Sequence, residues 1–269
     1  MTTLAVTAET ETRGAVRREP APIPMTRVVA VELRKSFDTR SGFWLLASIG
    51  IASVLATGAV LLWAPDSELT YSTFATAIGF PMAVILPVIA ILSVTSEWSQ
   101  RSGLTTFTLV PHRGRVIRAK AYVAVGVGVA SMLVAMAVGA VGNLVGPAIT
   151  GVDRVWDVTV LDLAQIILAN VLGLMIGFML GVLIRNSAGA IVGYFVYGFV
   201  LPPLAMLLAA SQQWFKDLQP WVDFNWAQGA LYNGSLTGEE WAQLGVTSLL
   251  WLVVPLSVGL AMLMRSEVK

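Results

Sequence analysis

Residues that could carry covalent or acid–base chemistry are scarce in this chain. It contains no Cys and a single His, His112. Disulfides, thiolate metal sites and cysteine nucleophiles are therefore excluded, and a catalytic or metal site built from histidines is not expected. No G-x-x-x-x-G-K-[ST] phosphate-binding loop occurs in the sequence. The sequence thus predicts that the chain is not an enzyme and carries no metal or cofactor of its own.

The composition indicates a membrane protein. Hydrophobic residues make up 56% and charged residues 12% of the chain, and the mean hydropathy is +0.76. About a quarter of the residues of a soluble domain are charged, so this chain has too few polar side chains to cover a soluble fold. The net charge of +1 gives no broad basic field, and nucleic acid is not an expected partner.

Six apolar runs are each long enough to cross a hydrocarbon core, which takes about 20 helical residues. None of them contains an Asp, Glu, Lys or Arg. The predicted fold is all-α, a six-helix transmembrane domain over residues 43–264. The predicted spans are 43–63, 74–94, 121–141, 163–184, 188–210 and 244–264.

Basic residues predict the orientation of these spans. All but two of the 17 Lys and Arg residues fall before the first span, on the second and fourth connections, or after the last span; the exceptions are Arg154 and Lys216. Cytoplasmic segments of membrane proteins carry this excess. Both termini, including the tail 265–269, are therefore predicted to be cytoplasmic (N-in/C-in), in a cell membrane.

Two different segments precede the first span. Residues 1–24 are rich in Thr, Glu, Ala, Pro and Arg, and are predicted to form a disordered cytoplasmic N-terminus. Over residues 25–42, apolar side chains alternate with Arg27, Arg34 and Lys35 at roughly helical spacing. This pattern predicts an amphipathic helix on the membrane surface, with its basic face toward lipid phosphates. A soluble cytoplasmic helix is the alternative.

The second connection, residues 95–120, combines charges with apolar side chains. Glu97 and Arg101 stand four residues apart on a predicted extension of the second span, in the order that favours pairing. Pro111 and Gly114 are predicted to break the chain. The loop's Leu, Phe and Val side chains could dock on a soluble partner, with the charges as a rim. Alternatively, the cations only enforce topology and contact lipid headgroups.

This connection resembles the loop between the second and third spans of type-2 ABC exporter permeases, particularly the small actinobacterial ones. Weaker similarities occur at 31–35, 183–187 and 264–268, in the family's order. The matching residues of the loop are Ser96, Glu97, Trp98, Arg101, Thr105, Thr106, Pro111, Arg113, Ala119 and Lys120.

The resemblance implies a permease subunit of an ATP-driven exporter in a bacterial inner membrane. Such a subunit pairs with a second copy or a sister permease, and each half docks a separate cytoplasmic ATPase that holds ATP and Mg. The surface helix would be the family's elbow helix, and residues 95–120 would be the coupling loop. The residues that this implies for ATPase coupling are Glu97, Arg101, Thr105, Thr106, Phe107, Pro111 and Arg113.

Glycines suggest how two of the spans meet. Gly173, Gly177 and Gly181 form a ridge on the fourth span, and Gly189 and Gly193 form one on the fifth. Facing ridges would let these helices pack closely as a hairpin. A face for a second permease is the alternative.

Prolines are predicted to bend three spans. Pro81 and Pro87 lie in the second span, Pro202 and Pro203 in the fifth, and Pro255 in the sixth.

Uncharged polar residues at depth are candidates for lining a path. They include Asn170, Tyr194 and Tyr197, although for Asn170 a hydrogen bond between neighbouring helices is favoured over ligand binding. No charged residue is predicted to lie deep, which disfavours an ion-coupled carrier and suits a hydrophobic or amphipathic substrate. The last external connection, 211–241, is rich in aromatic residues and is predicted to be either a lid over the path or an aromatic belt.

Two functions therefore remain open from the sequence. One is the permease subunit of an ATP-driven exporter. The other is a non-transporting membrane scaffold that recruits a cytoplasmic partner through its basic loop. In both, lipids surround the spans.

Overall fold

The computed structural model describes residues 23–99 and 113–265, which are almost entirely helical. The segments 1–22 and 266–269 of the predicted N-terminus and tail lie outside the described residues. Short 3₁₀ turns occur at Asp66–Glu68 and Ala230–Tyr232. In chain order the helices are α1 Met25–Asp38, α2 Arg40–Trp63, α3 Tyr71–Ser99, α4 Arg113–Thr150, α5 Val160–Ile184, α6 Ser187–Ser211, α7 Gln213–Val222, α8 Phe224–Gly229 and α9 Gly238–Arg265.

Six of these helices, α2 to α6 and α9, are long and apolar enough to cross a membrane. The structure thus has the predicted number of helices of spanning length, at the predicted places in the sequence. The largest difference is at α4, whose 38 residues measure roughly 57 Å, well beyond a hydrocarbon core of about 30 Å. The predicted break at Gly114 is wrong, because Gly114 lies in the first turn of α4.

Helix α5 lies at the centre of the bundle. Half of its most apolar stretch is buried, compared with 11% for α6. Its side chains Leu174, Phe178 and Val182, which share one face at a spacing of four residues, pack in one cluster with Leu86 and Val94 of α3. The pair α3–α5 has the most extensive contact in the bundle.

The glycine ridge of α5 faces α3 and not, as predicted, the ridge of α6. A Cβ added at Gly177 would lie 2.6 Å from the carbonyl oxygen of Pro87, and one at Gly181 would lie 3.3 Å from that of Ile91. Two backbones come this close only where side chains are absent. At Gly173, a Cβ would lie 3.4 Å from Nε2 of Gln228.

The glycines of α6 meet side chains of α5 instead of its glycines. A Cβ at Gly189 would lie 3.1 Å from Ile184 Cγ2, and one at Gly193 would lie 3.4 Å from Ile184 Cδ1. The two helices are joined by a short turn in which Arg185 adopts a positive φ of 56°. They therefore do form a hairpin, but Ile184 separates the two ridges.

The predicted bends in α6 and α9 take the form of π-helical segments, at Val196–Val200 and Leu249–Val253. Each segment ends two residues before a proline, Pro202 in α6 and Pro255 in α9. The N–H preceding the proline reaches back five residues, from Leu201 to the Val196 carbonyl and from Val254 to the Leu249 carbonyl. Widening the turn in this way is a common accommodation of a kink within a helix.

Candidate functional site

Helices α7 and α8 form a hairpin that enters the bundle between α6 and α9. Nε1 of Trp251 donates to the carbonyl of Val222 at 2.7 Å, and Nδ2 of Asn225 donates to the carbonyl of Tyr197 at 3.3 Å. Trp251 lies near the middle of the 28 residues of α9, and Tyr197 near the middle of the 25 residues of α6. The tip of the hairpin, residues 222–225, is therefore level with the middle of α6 and α9.

The tip also completes the hydrogen bonding of the broken helix α6. The carbonyl of Tyr197 would be bonded within the π segment by residue 202, but Pro202 has no N–H. Asn225 supplies the missing donor. Backbone groups in lipid must be satisfied internally, so this contact ties the hairpin to the irregular part of α6.

A second proline-freed carbonyl is satisfied by one of the predicted path-lining residues. Ala83 of α3 lies four residues before Pro87, which cannot donate to it. The hydroxyl of Tyr194 donates to the Ala83 carbonyl at 2.7 Å. Tyr194 thus bridges α6 and α3, and its ring lies 6.3 Å from that of Tyr197.

Asp223 lies at the tip of the hairpin and caps α8. Its Oδ1 accepts from the backbone N–H groups of Asn225 and Trp226 at 3.0 and 3.3 Å, and its Oδ2 accepts from Gln219 Nε2 at 3.0 Å. Among the described residues, no Lys or Arg forms an ion pair with it. The sequence assigned Asp223 to an external loop, whereas in the structure it lies at a tip that is level with the middle of α6 and α9.

Asn170, also predicted to line a path, lies beneath the hairpin. Its Nδ2 donates to the Ile166 carbonyl at 2.9 Å and to the hydroxyl of Tyr232 at 3.4 Å. Next to it, Gln228 Nε2 donates to the Ala169 carbonyl at 2.7 Å, which fixes α8 on α5. The Oδ1 atom of Asn170 is buried and has no hydrogen-bond partner among the described residues.

At the opposite end of the bundle, α1 is joined to α3 and α4 by a buried ion pair. Nζ of Lys120 lies 2.6 Å from Oε2 of Glu32 and donates to the Ser93 carbonyl at 3.0 Å. The two residues are only 5% and 6% exposed. Lys35, on the outer side, lies 2.7 Å from Oε1 of Glu32. These residues are called the α1 junction below.

The electrostatics of the α1 junction favour its charged state. Burial opposes the ionisation of Glu32, but the ammonium groups of Lys120 and then Lys35 outweigh it, so the pKa of Glu32 is below its ordinary value. Sequence reasoning missed this contact because helical spacing alone does not show which polar residue of α1 faces the bundle.

The rest of α1 has two further faces. Leu33 and Phe37 are exposed and lie on one side, whereas Arg34 is exposed on another. Val28 and Glu32 face the bundle. An exposed apolar strip beside an exposed basic strip is typical of a helix at a membrane surface.

Most of the predicted coupling residues lie outside the described residues. Glu97 is in the last turn of α3 and Arg113 is the first residue of α4, but their side chains are not described. The others outside the described residues are Arg101, Thr105, Thr106, Phe107 and Pro111.

No three His, Asp or Glu side chains within residues 23–99 and 113–265 lie close enough together to hold a metal ion.

Comparison of the chain with models of known protein families, and with curated proteins, gave no match.

Proposed function

We propose that this chain is the transmembrane permease subunit of an ATP-driven exporter. It provides a path for a hydrophobic or amphipathic compound and couples to a separate cytoplasmic ATPase that binds ATP and Mg. The observation that carries the proposal is the α7–α8 hairpin, whose tip bears Asp223 and contacts the π segments of α6 and α9. In this proposal the hairpin is re-entrant and its tip lies at mid-span. Irregular backbone and charge at that depth are tolerated only where they are buried in protein or line a hydrated cavity. A passive scaffold needs neither.

The α1 junction supports the coupling part of the proposal. The connection between α3 and α4, proposed as the ATPase coupling loop, leaves the bundle close to Ser93 and returns close to Lys120. The ammonium group of Lys120 donates hydrogen bonds to the Ser93 carbonyl and to the carboxylate of Glu32. A force applied to the loop would therefore move α1, α3 and α4 as one unit. In this proposal α1 is an elbow helix on the cytoplasmic membrane surface.

Pairing with a second permease is supported by the uneven burial of the spans. In their most apolar stretches only 11% of α6, 22% of α9 and 22% of α2 are buried, compared with 50% of α5. Of these three helices, α6 and α9 carry the π segments that contact the hairpin. A second copy or a sister permease facing them would enclose a path between the subunits.

Copurification with an ABC ATPase from the same organism, coexpressed with this chain, tests the proposal. The test variants are Arg101→Glu and Phe107→Asp in the loop, and the matched control is Arg154→Glu on the opposite side of the membrane. The loop variants are expected to lose ATPase binding and ATP-driven efflux of a hydrophobic dye from proteoliposomes, whereas Arg154→Glu keeps both. Retention of ATPase binding by the loop variants would reject the coupling loop. ATPase binding without transport of any hydrophobic compound would favour a scaffold.

A further inference from the structure

The carboxylate of Asp223 is incompletely neutralised for its depth. Asp223 is half-buried at the mid-span tip of the hairpin. A carboxylate has about four acceptor positions, and the three donors from Asn225, Trp226 and Gln219 occupy three of them. All three donors are uncharged. An anion at membrane depth without a counter-charge among the described residues is costly, and such residues commonly mark a substrate path.

Next to the hairpin tip lies a buried hydroxyl. Tyr197 is 8% exposed, and its hydroxyl has no hydrogen-bond partner among the described residues. The carbonyl of Tyr197 accepts from Nδ2 of Asn225, two residues after Asp223, which places Tyr197 against the tip. An unsatisfied buried polar group in a native protein usually indicates a missing water, ion or ligand.

Aromatic surface flanks the same point. The ring of Trp251 lies 5.8 Å from that of Tyr197, and its indole N–H is bonded to the residue before Asp223. Trp251 is 36% exposed, and Trp226, three residues after Asp223, is 52% exposed. Aromatic faces near an acidic group are typical of sites for organic cations, which they attract through the ring quadrupole.

We propose that Asp223, Tyr197 and Trp251 form a binding site for the cationic group of an amphipathic organic compound. The carboxylate supplies the counter-charge, the tyrosine hydroxyl a hydrogen bond, and the indole a cation–π contact. The cation site rests on the proposed function, because it names the class of substrate that the proposed export path carries. An organic cation fits better than a metal ion, because the surroundings are aromatic and supply one carboxylate.

Helix capping alone does not account for the charge. The two N–H groups at the start of α8 would be capped equally well by Asn, which is as good an N-cap residue as Asp. Asp223→Asn therefore preserves the hairpin while removing the charge. Asp217→Asn is the matched control, because Asp217 is exposed on α7 of the same hairpin and bonds only to Gln213 among the described residues.

Binding is measured on the purified full-length chain in nanodiscs, without ATPase, by equilibrium dialysis. The probes are tetraphenylphosphonium and tetraphenylborate, which have nearly the same shape and opposite charge. Asp223→Asn is expected to weaken phosphonium binding by about tenfold or more, as is typical when an interaction with a charged group is lost. It should not weaken borate binding, and Asp217→Asn should alter the binding of neither ion. Should Asp223→Asn fold poorly, Tyr197→Phe is tested with a protonated amine such as propranolol, whose ammonium N–H groups can bond the hydroxyl. Binding of this amine is expected to weaken several-fold.

Equal binding of the two ions by the wild type, or no effect of Asp223→Asn and Tyr197→Phe, would overturn the cation site. If ATP-driven efflux of a neutral dye persisted in that case, the proposed permease function would stand without it. Conversely, specific phosphonium binding by a chain that never associates with an ATPase would support the site and reject the coupling to ATP.

Discussion

At the residue scale, the α1 junction is the contact most sensitive to mutation. Glu32→Gln removes the carboxylate that faces the buried ammonium group of Lys120. Breaking a buried ion pair from one side typically costs about 3–5 kcal/mol. We therefore expect a marked fall in the melting temperature of the detergent-solubilised protein, measured by intrinsic fluorescence.

Lys35→Gln is the control for this variant. Lys35 also pairs with Glu32, but its side chain is 45% exposed, and exposed ion pairs contribute about 0–1 kcal/mol. The double variant Glu32→Gln/Lys120→Met should lose less than Glu32→Gln alone, since it leaves no buried ammonium group. Equal melting temperatures for Glu32→Gln and Lys35→Gln would contradict the importance of burial at this junction.

The sequence did not show which charged residues contact the helix bundle and which are exposed. Glu32 stands among Arg27, Arg34 and Lys35, and helical spacing alone does not tell which polar residue faces the bundle. Asp223 stands in a stretch of mixed polar and aromatic residues that is too short and too polar to predict a span. In both cases the burial results from tertiary contacts with distant segments, which local periodicity does not contain.

At the element scale, the close approach of α5 and α3 depends on Gly177. An added Cβ would lie 2.6 Å from the carbonyl oxygen and 2.8 Å from the Cα of Pro87, and backbone atoms cannot rotate away. Gly177→Ala is expected to destabilise the protein by about 1–3 kcal/mol, as other overpacked cores do. The measurement is thermal unfolding in detergent.

Gly126→Ala on α4 is the matched control, because a Cβ there meets nothing within 4 Å. It should leave the melting temperature unchanged or slightly raised, since alanine favours a helix more than glycine does. A similar loss in both variants would mean that helix flexibility matters, rather than the contact between α5 and α3.

Elements were more predictable than the contacts between them. Hydropathy located the six spans, because run length alone decides whether a helix can cross a membrane. Pro202 and Pro255 marked where α6 and α9 are irregular. The π segments themselves were not predictable, since their form depends on whether a partner such as Asn225 satisfies the freed carbonyl. The glycine ridges were recognised, but spacing along one helix does not tell which neighbour they face.

At the scale of the whole molecule, the two groups of polar contacts lie at different depths of one rigid centre. Helix α5 packs against α3, which is bonded to the α1 junction through Ser93 and to α6 through Tyr194 and the carbonyl of Ala83. The α7–α8 hairpin is bonded to α5 through Gln228 and the carbonyl of Ala169. A continuous set of packed helices therefore connects the proposed coupling loop with the proposed cation site, as transmission of a docking event requires.

The direction of that transmission depends on the orientation of the chain in the membrane, which can be measured directly. Because the protein has no Cys, single cysteines report their side without background labelling. Arg34→Cys on α1, and Ser67→Cys between α2 and α3, are placed at exposed positions at opposite ends of the bundle. The excess of basic residues at the α1 end predicts that this end is cytoplasmic. In right-side-out spheroplasts, a membrane-impermeant maleimide should label Ser67→Cys directly but Arg34→Cys only after permeabilisation. The reverse pattern would put the loop between α3 and α4 outside the cell, where no ATPase could reach it, and would reject the coupling proposal regardless of the cation site.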